Sequence, residues 1–287
     1  MKGTLETCDP LDSRQFHLAV RKLADDISFG NDRSPYVGSG IDYVQSRLYQ
    51  PGDPIKSIDW KITAKTGKVF VKEFEAPKRL PFYLLVDTSA SMTIRSGVLS
   101  KYALAVQIAG GLALAALDRV SPAGVLGVGE RGLHIRPTLS RDAVFRWLYE
   151  LRHFRYDEST TLAQRLSELA VQLPSRAVLV VLSDMHDPAA LAPLKLVAQK
   201  HDLIVVQLMD PAERGIRGAG FFRGSEAETG HEFAAGGRRS FDAFQLEVGR
   251  ALKLAGIDHL KLETDGPIAK PLRHFFERRA HLRGKAR

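Results

Sequence analysis

The sequence predicts an α/β fold, a doubly wound and mostly parallel sheet with a β-rich N-terminal appendage. Three observations carry that expectation. Short continuous apolar runs at 82–86 (FYLLV), 123–128, 177–182 (AVLVVL) and 203–208 read as strands buried on both faces. Helical periodicity returns between and after them, at 97–117, 141–152, 161–172 and 188–200. Strand and helix in alternation are what a parallel sheet with crossover helices requires. A short strand at 133–136, a helix at 240–255, a strand at 258–263 and a closing helix at 270–282 complete a main domain of residues 81–287, with six strands expected.

Residues 1–80 form the expected appendage, a helix followed by a β-rich segment packed on the main domain. Phe16, Val20, Leu23 and Ile27 recur at helical spacing over 12–27, behind the candidate caps Asp12 and Ser13. A turn-rich stretch follows at 30–40, then an extended piece at 43–48, a turn at Gln50–Asp53 and an alternating strand at 68–74. Residues 210–240 hold seven of the 24 glycines, yet Phe221, Phe222 and Phe233 lie among them, which favours a hairpin-like excursion over a flexible linker.

Composition bounds the function. There are 41 Lys and Arg against 33 Asp and Glu, a formal charge of +8, and residues 271–287 hold six of those cations and one Glu. Such a tail can attract nucleic acid, or simply place cations near the negative end of a terminal helix. The single Cys8 excludes an internal disulfide framework and any multi-cysteine zinc site. No apolar leader follows Met1, and the apolar run from Tyr102 to Leu117 is shorter than the roughly 20 residues of a spanning helix. A cytoplasmic protein without a membrane span is expected. Gly127, Gly129 and Gly132 match G-x-G-x-x-G, but Leu133 to Pro137 reads as extended, so a hairpin turn is expected there and not a dinucleotide loop. The nine histidines show no ligand spacing, although His186 beside Asp184 and Asp187 stands out.

The chemistry-bearing segment begins where the strand 82–86 runs into Asp87, followed by Ser89 and Ser91. In an open α/β sheet ligands bind outside the carboxyl ends of strands. One carboxylate and two hydroxyls there are hard oxygen donors of the kind Mg²⁺ and Mn²⁺ prefer. Asp and Ser are also ordinary helix caps, and this segment alone leaves both readings open. Ser183-Asp184 ends a second apolar strand, and Ser159-Thr160-Thr161-Leu162 opens a helix after a polar loop. Three loops thus deliver oxygen donors to one edge of one sheet.

This set resembles the metal-ion-dependent adhesion site of von Willebrand factor A domains, D-x-S-x-S followed by a Thr and then an Asp. The resemblance implies Asp87, Ser89, Ser91, Thr160 and Asp184 as ligands of Mg²⁺ or Mn²⁺. Thr160 matches because one residue and then Leu162 follow it; Ser159 stands where that family often has glycine. A narrower resemblance runs from Arg47, Tyr49, Gly52 and Asp53 through Ile58-Asp59-Trp60 to Thr63-Ala64-Lys65, with Asp210-Pro211-Ala212-Glu213 and Glu228-Thr229-Gly230 further on. These segments are similar to the bacterial domain of unknown function 58. Lys56 and Lys65 replace its usual arginines and lack the planar fork of that side chain. The resemblance implies a von Willebrand A, Rossmann-like fold and association with MoxR-type AAA+ ATPases, and it supplies no activity. On the residues alone, Pro51-Gly52 makes a turn, Asp53 and Asp59 accept bonds from backbone or from Arg47, and Trp60 is expected to anchor the loop by burial. That segment reads either as a staple or as an exposed platform.

The expected function is a metal-dependent protein-interaction module, an adaptor of such an ATPase, and not an enzyme. Two alternatives stand beside it. One is Mg²⁺- or Mn²⁺-dependent phosphoryl transfer, for which no general base or phosphate loop is evident; the other is nucleic-acid binding through the basic C-terminus.

Overall fold

The computed structural model describes residues 4–5, 11–28, 42–75, 80–130, 133–155, 159–214, 222–225, 232–235 and 238–284. Cys8, the turn-rich stretch 30–40, Glu228-Thr229-Gly230 and the last three residues of the basic tail lie outside them. The chain divides into two compact units, one of Met1–Gly30 with Leu80–Arg287 and one of Asn31–Arg79.

The larger unit is built on six strands: β1 (Phe82–Val86), β2 (Ala123–Gly127), β3 (His134–Thr138), β4 (Val178–Ser183), β5 (Asp202–Met209) and β6 (Asp258–Glu263). Their order across the sheet is β6-β5-β4-β1-β2-β3. All neighbours are parallel except β2 and β3. That antiparallel pair bears out the hairpin expected at the glycine triplet. At its bulge the backbones approach so closely that a Cβ on Gly124 would lie 2.6 Å from the Ile135 carbonyl oxygen.

Helices cover both faces, as the unbroken apolar strands require. Leu84, Val86, Val180, Leu182, Ile204 and Val206 point into one core. Tyr83, Leu85, Leu179, Val181, Leu203 and Val205 point into the other. The first core also holds residues of α1 (Ser13–Ser28), α3 (Lys101–Asp118), α4 (Arg141–Arg152) and α8 (Ala269–Gly284), where α2 denotes Trp60–Thr66 in the smaller unit. The second takes α5 (Leu162–Gln172), α6 (Leu191–Lys200) and α7 (Arg238–Leu254).

Helix α1 begins with a reciprocal cap: the Gln15 N–H donates to Asp12 Oδ1 at 2.7 Å and the Asp12 N–H to Gln15 Oε1 at 3.1 Å. Its buried face of Phe16, Val20, Leu23 and Ile27 lies on α3. Gly110 and Gly111 permit that approach, since a Cβ on either would come within 2.8 Å of Val20 or Leu23. Helix α3 is long and apolar enough to cross a membrane by length and composition, yet it is almost wholly buried in this core. It starts at Lys101, capped by Ser100, and not at 97 as the apolar pattern suggests. In α8, Arg279 donates to Asp202 and forms an ion pair with Asp258, at 2.6 Å each, so this member of the basic C-terminal cluster ties the helix to β5 and β6.

In the excursion between β5 and α7, strands Phe222–Ser225 and Glu232–Ala235 pair antiparallel as the expected hairpin. The smaller unit is an antiparallel ribbon of Asp42–Leu48 and Phe70–Glu75, together with α2.

Candidate functional site

The chain leaves β1 toward β2 and β3 on one side, while β4, β5 and β6 fill the other. Ligand crevices form at such a switch point, outside the carboxyl ends of the strands. Asp87 follows β1 and Asp184 follows its neighbour β4, and both are only 2% exposed.

Each position is fixed by its own loop. The Asp87 N–H continues the sheet by donating to the Leu182 carbonyl at 2.9 Å. Its carboxylate accepts the Ser89 N–H at 3.0 Å on Oδ1 and the Ser183 hydroxyl at 2.6 Å on Oδ2. The Ser89 and Ser91 hydroxyls lie 3.1 Å apart, and Ser91 also hydrogen-bonds Asp184. Neither serine behaves as a cap: Ser89 precedes a short 3₁₀ turn without a side-chain capping bond, and α3 is capped by Ser100. Asp184 is followed by Met185 with φ of 59°, a left-handed conformation that is uncommon for a side chain of this size. The Met185 N–H is held by the Ser183 hydroxyl at 3.0 Å.

Thr160 reaches the same edge from the far side of β1. The segment is stitched to the end of β2 by a Gly129–Thr160 bridge, by the Thr161 N–H to the Val128 carbonyl at 2.9 Å and by the Thr161 hydroxyl to the Gly129 carbonyl at 2.8 Å. The Thr160 hydroxyl accepts a long bond from the Leu162 N–H, 3.4 Å, so its geometry retains some cap character. Asp87, Ser89, Ser91 and Asp184 are thus drawn together, and Thr160 stands on the neighbouring strand end.

Four residues that sequence reasoning either quoted without a site role, as with Ser183, Asp210 and Glu213, or passed over, as with Lys101, complete the site. Ser183 orients Asp87. Lys101, fully buried at the first turn of α3, donates from Nζ to Asp184 Oδ2 at 2.7 Å and to Glu213 Oε1. Glu213 sits on the 3₁₀ turn Pro211–Arg214 after β5, where its Oε2 accepts the Asp210 N–H at 2.9 Å. Asp210, 1% exposed, accepts the Thr264 hydroxyl at 2.6 Å and the Ser96 N–H at 3.0 Å, which ties three loops together. One signal pointed to Lys101: a cation on the first turn of an apolar helix opposes the helix dipole and needs an anionic partner.

Electrostatics separate the two aspartates. Burial, reinforced by the charge of Asp184, pushes the Asp87 carboxyl up to about 7. Burial also opposes the charge of Asp184, but Lys101 and His186 outweigh it and hold that carboxyl below the usual range. Burial likewise opposes the Lys101 ammonium, and Asp184 and Glu213 outweigh it to hold the ammonium above its ordinary value. Asp184, Glu213 and His186 could themselves hold a cation, since their ligand atoms lie within 4.8 Å of one another. Lys101 already bonds both carboxylates there, so an ion at that triad has to displace a buried ammonium. Asp87, Ser89 and Ser91 carry no such competitor among the described residues, and their oxygen-only donors fit a hard divalent cation.

The fold and site define an α/β protein with a mixed, mostly parallel six-stranded sheet, helices on both faces and a buried acidic cluster at its switch point. Residues 45–245 match the family described as "Protein of unknown function DUF58", and the chain belongs to that family. Uncharacterized proteins of Mycobacterium bovis and Mycobacterium tuberculosis are 25% identical over 265 residues, covering 88% of this chain and 84% of theirs. Among solved structures, the Deinococcus radiodurans Ro (Rsr) protein is similar at a TM-score of 0.32 and 19% identity, covering 69% of this chain and 34% of that one. This chain therefore spans about a third of that protein's length.

Proposed function

We propose that this protein is a divalent-cation-dependent protein-binding module with a von Willebrand A-type sheet, serving as adaptor or substrate-presenting subunit of a MoxR-type AAA+ ATPase. One observation carries the cation: the buried Asp87 carboxylate lies beside the charge of Asp184, while the buried ammonium of Lys101 is engaged by Asp184 and Glu213. Buried charge of one sign is costly unless it is paired, protonated or bound to a metal.

Asp87, Ser89, Ser91, Thr160 and Asp184 would hold Mg²⁺ or Mn²⁺. Bound there, the ion supplies a Lewis-acidic contact for a partner's carboxylate. The chain's own residues prepare that contact. Ser183 and the Ser89 N–H aim the Asp87 carboxylate, Lys101 fixes Asp184, and Met185 turns the backbone away behind it. With two carboxylates and three neutral hydroxyls as donors, a held divalent cation is balanced and not over-neutralised, so an acidic side chain can still be added as a ligand. The ATPase assignment rests on the family resemblance alone. A pull-down with a MoxR-type ATPase tests the reading: binding should require Mg²⁺ or Mn²⁺, fall with EDTA and fall in Asp87→Ala and Thr160→Ala. Undiminished capture by both variants refutes metal-bridged attachment.

A further inference from the structure

We propose that the smaller unit carries a docking face for a protein segment in which acidic and apolar side chains alternate. The inference deepens the interaction reading above, on which it rests for the existence of a protein partner, but it uses a different surface and no cation.

Trp60 is the starting observation. The sequence leads one to expect a buried anchor, and the structure corrects this, for Trp60 is 67% exposed. Its indole is not needed to fasten the loop because polar bonds do so. Arg47 grips Asp53 with two parallel bonds of 2.7 Å, and Asp53 also accepts the Gln50 N–H at 2.8 Å. Asp59, 6% exposed, accepts the Ser46 hydroxyl at 2.9 Å and caps α2 through the Lys61 and Ile62 N–H groups. The Asp59 N–H donates to the Phe70 carbonyl at 2.7 Å, and the Thr63 hydroxyl accepts the Phe70 N–H at 3.0 Å. A loop so fastened is preorganised, and the large apolar side chains it leaves outside are free to serve contact.

The chain segments that carry three of them are neighbours. Leu48 pairs with Phe70, the Tyr49 N–H donates to the Val69 carbonyl, and Trp60 follows the residue bonded to Phe70. Leu48, Val69, Trp60 and Ile55 are 52%, 42%, 67% and 71% exposed. An exposed Trp on a rigid support amid aliphatic neighbours is the usual composition of a protein-binding hot spot.

Charge decides the occupant. Ile55, Trp60 and Val69 each have an exposed lysine as chain neighbour, Lys56, Lys61 and Lys68 respectively, and Lys65 lies one turn beyond Lys61 on α2. The two carboxylates of the loop, Asp53 and Asp59, are already engaged by Arg47, Ser46 and backbone. The same lysines would also meet an anionic lipid surface, which the vesicle arm of the test below distinguishes. A segment alternating Glu or Asp with Leu or Phe satisfies both components at once.

Trp147 is fully buried, so acrylamide quenching of the full chain reads Trp60. The probe is a 16-residue peptide alternating Glu or Asp with Leu or Phe, measured in EDTA and again in Mg²⁺. The expected result is saturable protection of Trp60 and a blue shift, equal in both buffers and retained in Asp87→Ala. The pair Lys56→Glu with Lys61→Glu, which keeps Trp60 as reporter, should weaken binding at least tenfold at unchanged circular dichroism. Isothermal calorimetry should find the same weakening for Ile55→Ala with Trp60→Ala. Equal protection by a peptide with Lys in place of the acids, protection only by phosphatidylserine vesicles or by (dT)₁₆, or no protection at all overturns the proposal. Because the assay is independent of metal, its failure leaves the cation reading intact and the reverse also holds.

Discussion

Replacing Lys101 with Met keeps the length and apolar stem of the side chain and removes only its ammonium. In the wild type that group is 0% exposed and donates to Asp184 and Glu213, whose side chains are 2% and 4% exposed. Removing one partner of a buried ion pair strands the others, a loss of about 3–5 kcal/mol. For a chain of this size each kcal/mol moves the melting temperature by roughly 2–4 °C, so Lys101→Met should melt about 6–20 °C lower. The assay is thermal and urea unfolding in EDTA at pH 7.5, with an unchanged m-value confirming that the folded state is the same. Neither Lys101 nor Asp184 changes protonation near this pH. The Lys101 pKa is raised, so its contribution is full below the ordinary 10.5 and lost only as pH climbs through the higher folded value. The Asp184 pKa is lowered, so its contribution is full above 3.8 and lost as pH falls through the lower folded value. Adding Glu213→Gln to the variant removes one stranded charge and should restore part of the loss. Added Mg²⁺ should stabilise Lys101→Met more than wild type, since two carboxylates are then open to it. A loss below about 1 kcal/mol would refute the reasoning, because the pair would then be no stronger than one at the surface.

Three further outcomes follow from the same structure. Metal must displace the proton that burial favours on Asp87, whose carboxyl is pushed up to about 7; calorimetric Mg²⁺ affinity should therefore plateau above about pH 8 and fall toward tenfold per pH unit below 7. The metal-free protein should lose stability as pH rises from 3.8 to about 7, because the folded form keeps a proton that the unfolded chain releases. Gly110→Ala and Gly111→Ala force a Cβ into Val20, Leu148 or Leu23, and each should cost about 1–3 kcal/mol in urea unfolding. Trp60→Ala should change stability by less than about 0.5 kcal/mol, whereas Trp147→Ala, which empties a fully buried site, should cost about 3–5 kcal/mol.

Much of the fold was legible because burial leaves a local imprint. The runs FYLLV and AVLVVL cannot be strands of a one-sided sheet, and both are covered on two faces. Helix α4 and strand β6 begin and end where the sequence puts them, at 141–152 and 258–263. Helix α3 was drawn too long because Val98 and Leu99 extend its apolar pattern; Ser100 breaks it, and the Ser96 N–H goes to Asp210 instead. The site was legible only where its residues abut strand ends. Asp87 and Asp184 were found by that rule, whereas Glu213 meets Lys101 across 112 positions and Lys101 hides within an apolar helix. Trp60 was misread because apolar size was equated with burial, while the bonds of Asp53 and Asp59 carry the structural load of that loop.

The central claim is that Asp87 anchors a divalent cation at the switch point of the sheet. Its most direct test is a calorimetric titration of Mg²⁺ and Mn²⁺ into EDTA-stripped, dialysed wild type and Asp87→Ala at pH 8, with melting temperatures followed in parallel. Saturable binding to one site per chain, accompanied by stabilisation, is expected in wild type and neither in the variant. Binding of equal strength in both proteins, or in neither, would contradict it.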